Sequence, residues 1–101
     1  MAAYWIARGN IHDPAEYKKY TDPLPDVFFK FGGKILARGG HYQTLEGPKK
    51  FARYVIIEFP SLEQARACYE SPDYQGPRQF RLNGVGEVEI SIVESVDAPA
   101  T

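Results

Sequence analysis

The sequence predicts an α+β domain with a ferredoxin-like fold, in which an antiparallel four-stranded sheet carries its helices on one face. Strand and helix signals follow one another in the order β-α-β-β-α-β. The strand segments also divide by parity into one wholly apolar set and one mixed set. The 101 residues, 44% hydrophobic and 25% charged, suit one ordinary globular domain. We therefore expect a single domain over residues 1–96 and a short flexible tail over residues 97–101.

The first strand and the first helices are marked by their boundaries. Residues 4–8 are aromatic and apolar and end at a Gly-Asn pair, which is typical of a strand. The side chain of Asp13 can cap a helix. Two further signals agree: Pro14 suits the first helical position, and Glu16 stands where a capping box places its acid. After a second start at residues 22–23, apolar residues recur at the spacing of one helical face: Leu24, Val27, Phe28 and Phe31. The glycine pair at 32–33 ends this helix.

The second half of the chain repeats the pattern. Residues 34–38 predict a strand, with either a bulge or a close backbone approach at the glycine pair 39–40. Residues 53–59 give the strongest strand signal. Ser61 opens a helix with Gln64 in the capping-box position. The buried stripe of that helix is Leu62, Ala65, Cys68 and Tyr69. Ser71-Pro72 begins a further short helix, disturbed at Gly76-Pro77, and residues 87–94 form the last strand.

The two faces of the predicted sheet differ in character, because side chains alternate across a strand. The apolar set, expected under the helices, is Trp5, Ala7, Ile35, Ala37, Val55, Ile57, Phe59, Val88, Ile90 and Ile92. The mixed set is Tyr4, Ile6, Arg8, Leu36, Arg38, Tyr54, Ile56, Glu58, Glu89, Ser91 and Val93. Its apolar members together would form a large exposed patch, which usually marks an interface. We expect a second copy of the chain to cover this face; the alternative is a solvated sheet.

Charged residues on the mixed face are expected to meet. A hairpin between the second and third strands would place Arg38 opposite Glu58. Taking the first and third strands as parallel neighbours brings Arg8 toward Glu58 as well. Such charges form a cross-strand salt bridge, a polar cluster that lines a cavity under the helices or between subunits, or both.

Composition argues against several classes of function. The net charge of -1 and the pI near 6.1 do not suit a surface for nucleic acid or anionic membrane. No apolar run approaches the ~20 residues that span a bilayer, and the first residues lack the pattern of a signal peptide. Cys68 is the single cysteine, so an intrachain disulfide is excluded. These features favour a cytoplasmic protein without nucleic-acid or membrane partners.

The candidate chemistry is sparse. His41 follows a glycine pair and is a candidate proton acceptor, with a plain surface histidine as the alternative. The two histidines lie far apart without a carboxylate spacing, so we expect no metal and no cofactor, haem included. Arginine suits planar anions, and aromatic walls with a few polar groups are typical of small-molecule pockets. The candidate ligand-binding residues are Arg8, Arg38, Glu58, Tyr20, Tyr54, Tyr74 and Arg81, with Glu58 also a candidate base.

The chain resembles a family of uncharacterised domains, numbered thirteen-thirty among the domains of unknown function, in the dimeric α/β-barrel superfamily. The motifs that carry the resemblance are residues 3–8, Asp13-Pro14 with Tyr17 and Tyr20, residues 32–40, residues 45–47, residues 58–61, residues 69–75 and Arg81. The resemblance implies a homodimer built by packing of sheet faces. It implies no settled activity, although the wider superfamily includes cofactor-free monooxygenases, small-lactone isomerases and haem-dependent enzymes.

Two functions follow as hypotheses. The first is a homodimeric protein that binds a small carboxylate or aromatic metabolite, with or without cofactor-free catalysis. Arg38 would then clamp the anion, Glu58 would orient Arg38 or act as a base, and tyrosines would form the walls. The alternative is a non-enzymatic dimer that acts by binding or assembly alone.

Overall fold

A computed structural model of the chain describes residues 1–96, so the tail expected over residues 97–101 lies outside the described residues. The elements are β1 (Ala3–Ile11), α1 (Pro14–Thr21), α2 (Leu24–Lys30), β2 (Lys34–Gly39), β3 (Arg53–Phe59), α3 (Leu62–Glu70), α4 (Pro72–Arg78), a 3-10 turn (Gln79–Arg81) and β4 (Gly86–Glu94). Each helical crossover is thus built from two helices in succession. The predicted α+β, ferredoxin-like order is confirmed.

The four strands form one sheet in the order β2-β3-β1-β4, and every neighbouring pair is antiparallel. The expectation that the first and third strands run parallel is wrong. The helical crossover returns the chain so that β2 runs in the direction of β1, and the connection to β3 then reverses it. In the resulting register Tyr4 lies opposite Glu58, and Arg8 lies opposite Tyr54.

Side-chain caps fix the starts of α1, α3 and α4 at the predicted positions. Asp13 accepts a hydrogen bond from the backbone N–H of Glu16, and Ser61 accepts one from the N–H of Gln64. Ser71 serves as the boundary between α3 and α4 and accepts a bond from the N–H of Tyr74. Such caps satisfy backbone donors that a helix start leaves unpaired. The helix α4 continues through Pro77 to Arg78, so the disturbance expected at Gly76-Pro77 does not interrupt it.

The core lies between the helices and one face of the sheet, called here the helix-side face, which carries Trp5, Ile57 and Val88. The opposite face, called the open face, carries Tyr4, Ile56 and Glu58. The ring of Trp5 is 1% exposed and meets aromatic rings from several helices and from β3. Edge-on aromatic pairs of this kind add stability beyond the area that they bury.

A β-bulge in β2 changes which side chains face the helices. Ile35 lies opposite Ile57, but the register then shifts, so that Ala37 lies opposite Ile56 and Arg38 opposite Val55. Cross-strand partners share a face. The bulge therefore moves Arg38 to the helix-side face and Ala37 to the open face, against the parity prediction. The bulge also falls earlier in the strand than the glycine pair 39–40, where it was expected.

Cys68 is fully buried on α3, as the predicted stripe requires. Burial raises the pKa of its thiol to about 12, and the nearby charge of Asp73 adds to the effect. A thiol held in its neutral form behaves as a small apolar side chain.

Among residues 1–96, no helix has the length and apolar character needed to cross a membrane.

Gly86, at the start of β4, is a position where a side chain cannot fit. A Cβ built there would lie 2.5 and 2.7 Å from two carbons of the Tyr17 ring. We expect Gly86→Ala to displace that ring and to lower the free energy of unfolding by about 1–3 kcal/mol, the usual cost of overpacking. Urea denaturation measures this change.

The matched control is Gly40→Ala, because a Cβ at Gly40 meets nothing within 4 Å. The control should unfold close to the wild-type midpoint. Equal midpoints for Gly86→Ala and the wild type would contradict the packing of Tyr17 against this glycine.

Candidate functional site

A cavity of about 70 Å³ lies between the helix-side face and helices α1 and α2. We call it the first cavity. Its lining residues are Trp5, Ala7, Arg8, Gly9, Tyr17, Tyr20, Thr21, Leu24, Pro25, Phe28, Ile35, Arg38, Arg53, Val55, Ile57 and Val88. Most of this lining is apolar or aromatic, and the charged members are all arginines. The space exceeds the ~10–15 Å³ needed for one water several-fold.

Two arginines reach the first cavity from neighbouring strands. Arg38 comes from β2, where the bulge places it opposite Val55, and Arg53 stands two residues before Val55 on β3. Diagonal neighbours on one face of an antiparallel pair lie ~7–8 Å apart, within reach of long side chains. Within residues 1–96, neither guanidinium forms a salt bridge or a side-chain hydrogen bond. Both charges therefore remain available to an anion.

Tyrosines from α1 form the wall facing these arginines. The rings of Tyr17 and Tyr20 meet edge-on with centroids 5.3 Å apart. The hydroxyl of Tyr20 hydrogen-bonds the hydroxyl of Tyr74 on α4 at 2.7 Å, and either oxygen can donate. Burial raises the pKa of Tyr20 well above its usual range, with Tyr74 adding to the effect. Burial also raises the pKa of Tyr17, although the charges of Arg53 and Arg81 oppose the rise. Both phenols stay protonated and can donate hydrogen bonds.

Arg81 completes this cluster from the 3-10 turn. Its guanidinium carbon lies 5.2 Å from the centroid of the Tyr20 ring, in a cation–π contact. Burial alone would lower the pKa of Arg81, but the hydroxyls of Tyr74 and Tyr20 outweigh it and raise that pKa. A permanent positive charge thus sits behind the tyrosine wall.

The structure brings together some of the predicted site residues. Tyr20, Tyr74 and Arg81 form one buried cluster. Arg8 and Arg38 both line the first cavity, which Tyr20 also lines. The sequence predicted these residue types but not their contacts, because Tyr20 and Tyr74 stand on different helices far apart in the chain.

The remaining predicted residues lie elsewhere. Glu58 is half-buried on the open face, opposite Tyr4 on one side and Lys34 on the other, and does not line the first cavity. The ring of Tyr54 packs at a tilt against that of Tyr42, with centroids 4.9 Å apart. The exposed His41 follows the end of β2 and does not line the cavity either.

The ion pairs expected around Glu58 do not form. Arg38 is not opposite Glu58, because the bulge moves it to the other face. Arg8 is not near Glu58, because the antiparallel register places it opposite Tyr54. Instead the Nη2 of Arg8 lies 3.0 Å from the Oε1 of Glu89 on β4. Both side chains are about half exposed, so this pair adds little stability.

Arg53 is the cavity residue that the sequence reasoning missed. Its signal was present, because Arg53 shares the parity of Val55 and Ile57 and so belongs to the face that packs under the helices. A cation at the end of an apolar strand face indicates either the rim of the core or a charged cavity mouth.

In the part of the chain described, no three His, Cys, Asp or Glu side chains gather into a group that could hold a metal ion.

The fold and the cavity together define a ferredoxin-like domain with an arginine- and tyrosine-lined space under its helices. The chain belongs to the family DUF1330, a domain of unknown function, whose profile matches residues 2–96. Among curated proteins, none matches the chain.

Solved structures share the fold at low sequence identity. The RPA0582 protein of unknown function from Rhodopseudomonas palustris is 18% identical, with a TM-score of 0.75 over 95% of this chain and 83% of that chain. A dimeric ferredoxin-like protein of unknown function from Jannaschia sp. CCS1 is 10% identical, with a TM-score of 0.74 over 94% and 100%. SnoaB, a cofactor-independent oxygenase from Streptomyces nogalater, is 16% identical, with a TM-score of 0.61 over 96% and 95%.

The raised pKa values of Tyr17, Tyr20 and Cys68 predict a loss of stability in alkali. Their folded-state pKa values are raised above the ordinary 10.0 of tyrosine and 9.0 of cysteine. Their stabilising contribution is therefore complete below about pH 9 and is lost as pH rises toward the folded-state values, because the unfolded chain ionises first. Urea unfolding at intervals between pH 8 and pH 11 should show a constant free energy of unfolding and then a fall.

Tyr17→Phe removes one of the ionising groups, so its stability should fall less steeply above pH 9. A wild-type free energy of unfolding that stays constant to pH 11 would show that these groups are not shielded from water in the folded protein.

Proposed function

We propose that this protein is a homodimer that binds a small carboxylate-bearing metabolite, aromatic or aliphatic, in the first cavity of each subunit. The observation that carries the proposal is the placing of Arg38 and Arg53 on one wall of an apolar cavity without an anionic partner within residues 1–96. Guanidinium groups suit planar carboxylates, which they bind through paired hydrogen bonds. An unpaired cation at such a site is satisfied by a ligand of opposite charge.

The walls of the cavity support an organic ligand over a simple ion. Trp5 and Phe28 are buried aromatics that can pack against an apolar body, and Tyr17 and Tyr20 offer protonated hydroxyls. Apolar walls with a few convergent polar groups are typical of small-molecule sites. The modest volume favours a small ligand.

The geometry also supports cofactor-free catalysis, as a proposal secondary to binding. A protonated tyrosine hydroxyl near a guanidinium can donate a hydrogen bond to a carbonyl or enolate oxygen and stabilise charge that develops there. The likeness in fold to a cofactor-independent oxygenase agrees with such chemistry but supports it only by analogy. Binding is therefore the primary proposal, and turnover is tested after it.

The homodimer is supported by the open face of the sheet. Large apolar side chains stand exposed there together: Ile6, Leu36, Ile56 and Val93. Half-buried Tyr4 and Tyr54 extend the same face. A group of exposed apolar side chains on one sheet face usually marks an interface. Two solved structures of similar fold are dimeric. A second copy, packed sheet against sheet, would cover the patch with an identical one.

The ligand proposal predicts thermal stabilisation by small carboxylates. Benzoate at about 100 times its Kd should stabilise the folded protein by about 2.7 kcal/mol and raise Tm by several degrees. Benzamide, its uncharged counterpart, should have little effect. The shift with benzoate, acetate or 4-hydroxybenzoate should disappear in Arg38→Gln.

Lys34→Gln is the matched control, because it removes a cation from the same strand but on the open face. It should keep the shift. No shift with any carboxylate, in a protein that remains dimeric, would contradict the ligand proposal and favour a non-enzymatic assembly module.

The dimer proposal predicts that a charge at the centre of the open face separates the subunits. Ile56→Glu places an unpaired carboxylate in the proposed interface, where burial is costly. Sedimentation equilibrium should then give the 11.4 kDa of one chain. Phe29→Glu on α2, where the side chain is 80% exposed away from that face, should remain dimeric. A dimeric Ile56→Glu would place the subunit contact on another surface.

A further inference from the structure

A second cavity of about 500 Å³ lies on the same side of the sheet, between β4 and the helices α3 and α4. Its lining residues are Trp5, Arg66, Tyr69, Glu70, Arg78, Arg81, Val88, Ile90 and Ile92. It shares Trp5 and Val88 with the first cavity but none of the arginines. It is also much the larger of the two.

The second cavity carries an excess of positive charge. Three arginines border it against a single carboxylate, that of Glu70. Glu70 is engaged with Arg66, whose Nε lies 3.4 Å from its Oε2. Within residues 1–96, Arg78 and Arg81 form no salt bridge, and the contact of Arg78 with Gln75 is a long one of 3.4 Å to a neutral amide.

Arg81 keeps one buried donor without an acceptor, although the hydroxyls of Tyr74 and Tyr20 lie beside its guanidinium group. The residue as a whole is only 7% exposed. Its Nε, like the Nε of Arg78, is buried without a hydrogen-bond partner in the described part of the chain. A buried charged donor without an acceptor is costly, so native structures rarely leave one unless a ligand or water supplies the acceptor.

The opposite wall of the second cavity is apolar. Val88, Ile90 and Ile92 share the helix-side face of β4, and Tyr69 lines the same space from α3, with its ring against Trp5. A ligand in this space meets guanidinium groups at one side and hydrocarbon at the other. A bare inorganic ion would contact only the guanidinium groups.

We propose that the second cavity binds an organic anion that combines a carboxylate or phosphate head with a flat apolar body of about two fused rings. The head pairs with Arg78 and Arg81, and the body packs on Tyr69 and the β4 wall. This site and its ligand class are independent of the first cavity, whose smaller volume suits a smaller carboxylate. Guanidinium pairs hold carboxylate and phosphate alike, so the probes must separate the two heads.

Isothermal titration calorimetry with 2-naphthoate, 2-naphthyl phosphate, 2-naphthamide and inorganic phosphate tests the proposal on the full chain. Either naphthyl anion should bind, whereas the uncharged amide and the bare phosphate should bind at least about tenfold more weakly. Arg78→Gln should raise the Kd of the naphthyl anion about tenfold or more, since it removes a charge-assisted hydrogen bond. The tighter of the two anions identifies the head group.

Two controls separate this site from the first cavity and from general charge effects. Arg38→Gln, in the first cavity, and Lys49→Gln, on an exposed loop, should both leave the Kd within about twofold. If Arg78→Gln does not fold, Arg66→Gln replaces it, because that side chain is 73% exposed and can be changed without disturbing the core. Arg66→Gln should weaken binding several-fold, because it removes a positive charge from the rim of the cavity and leaves the carboxylate of Glu70 free to repel the anion.

Three results would overturn the proposal. One is the absence of saturable binding by both naphthyl anions. Another is equal binding of 2-naphthamide, which would show that the arginines play no part. The third is weakening by Arg38→Gln but not by Arg78→Gln or Arg66→Gln, which would assign the anion to the first cavity and support the proposed function alone.

Discussion

The side chain of Trp5 joins the sheet to the helices, and both cavities depend on its position. Its ring lies 5.2–5.9 Å, centroid to centroid, from four other aromatic rings, those of Phe28, Phe59, Tyr69 and Tyr74. These rings come from α2, β3, α3 and α4, so a single residue on a central strand sets the distance between the two layers of the domain. A tilted or edge-on contact is directional, unlike the burial of an aliphatic side chain. The helices are thereby held at defined heights above the sheet, which leaves one space on each side of Trp5.

Local chemistry was sufficient to predict most of the fold. The caps at Asp13 and Ser61 and the strand over residues 53–59 rest on neighbouring residues alone, and the structure places each where the sequence did. The prediction that β1 and β3 run parallel was wrong, because the direction of a strand depends on the path of the chain through its connections. The bulge in β2 was also misplaced, since Leu36 carries none of the glycine signal that usually marks one.

The candidate site was harder to predict than the fold, because its geometry depends on contacts between residues that are distant in the sequence. The residue types were identified, but contacts such as that between the hydroxyls of Tyr20 and Tyr74 join helices that are distant in sequence. Parity assigned Arg38 to the open face, and one extra residue in β2 inverted that assignment. Arg53 could have been found, because no irregularity intervenes between it and Val55. The charged pairing around Glu58 was lost with the register on which it rested.

The bulge in β2 has a consequence for how this family can diversify. Because one surplus residue decides which later side chain of β2 stands under the helices, a single codon gained or lost at the bulge exchanges the facing of the residues that follow it without altering their identity. Such an event would withdraw the arginine from the cavity and present it to the opposite face of the sheet in one step. Homologues of similar composition can therefore differ in the charge of this cavity through strand length alone. Comparisons that align residue types without counting the residues of β2 would not detect the change.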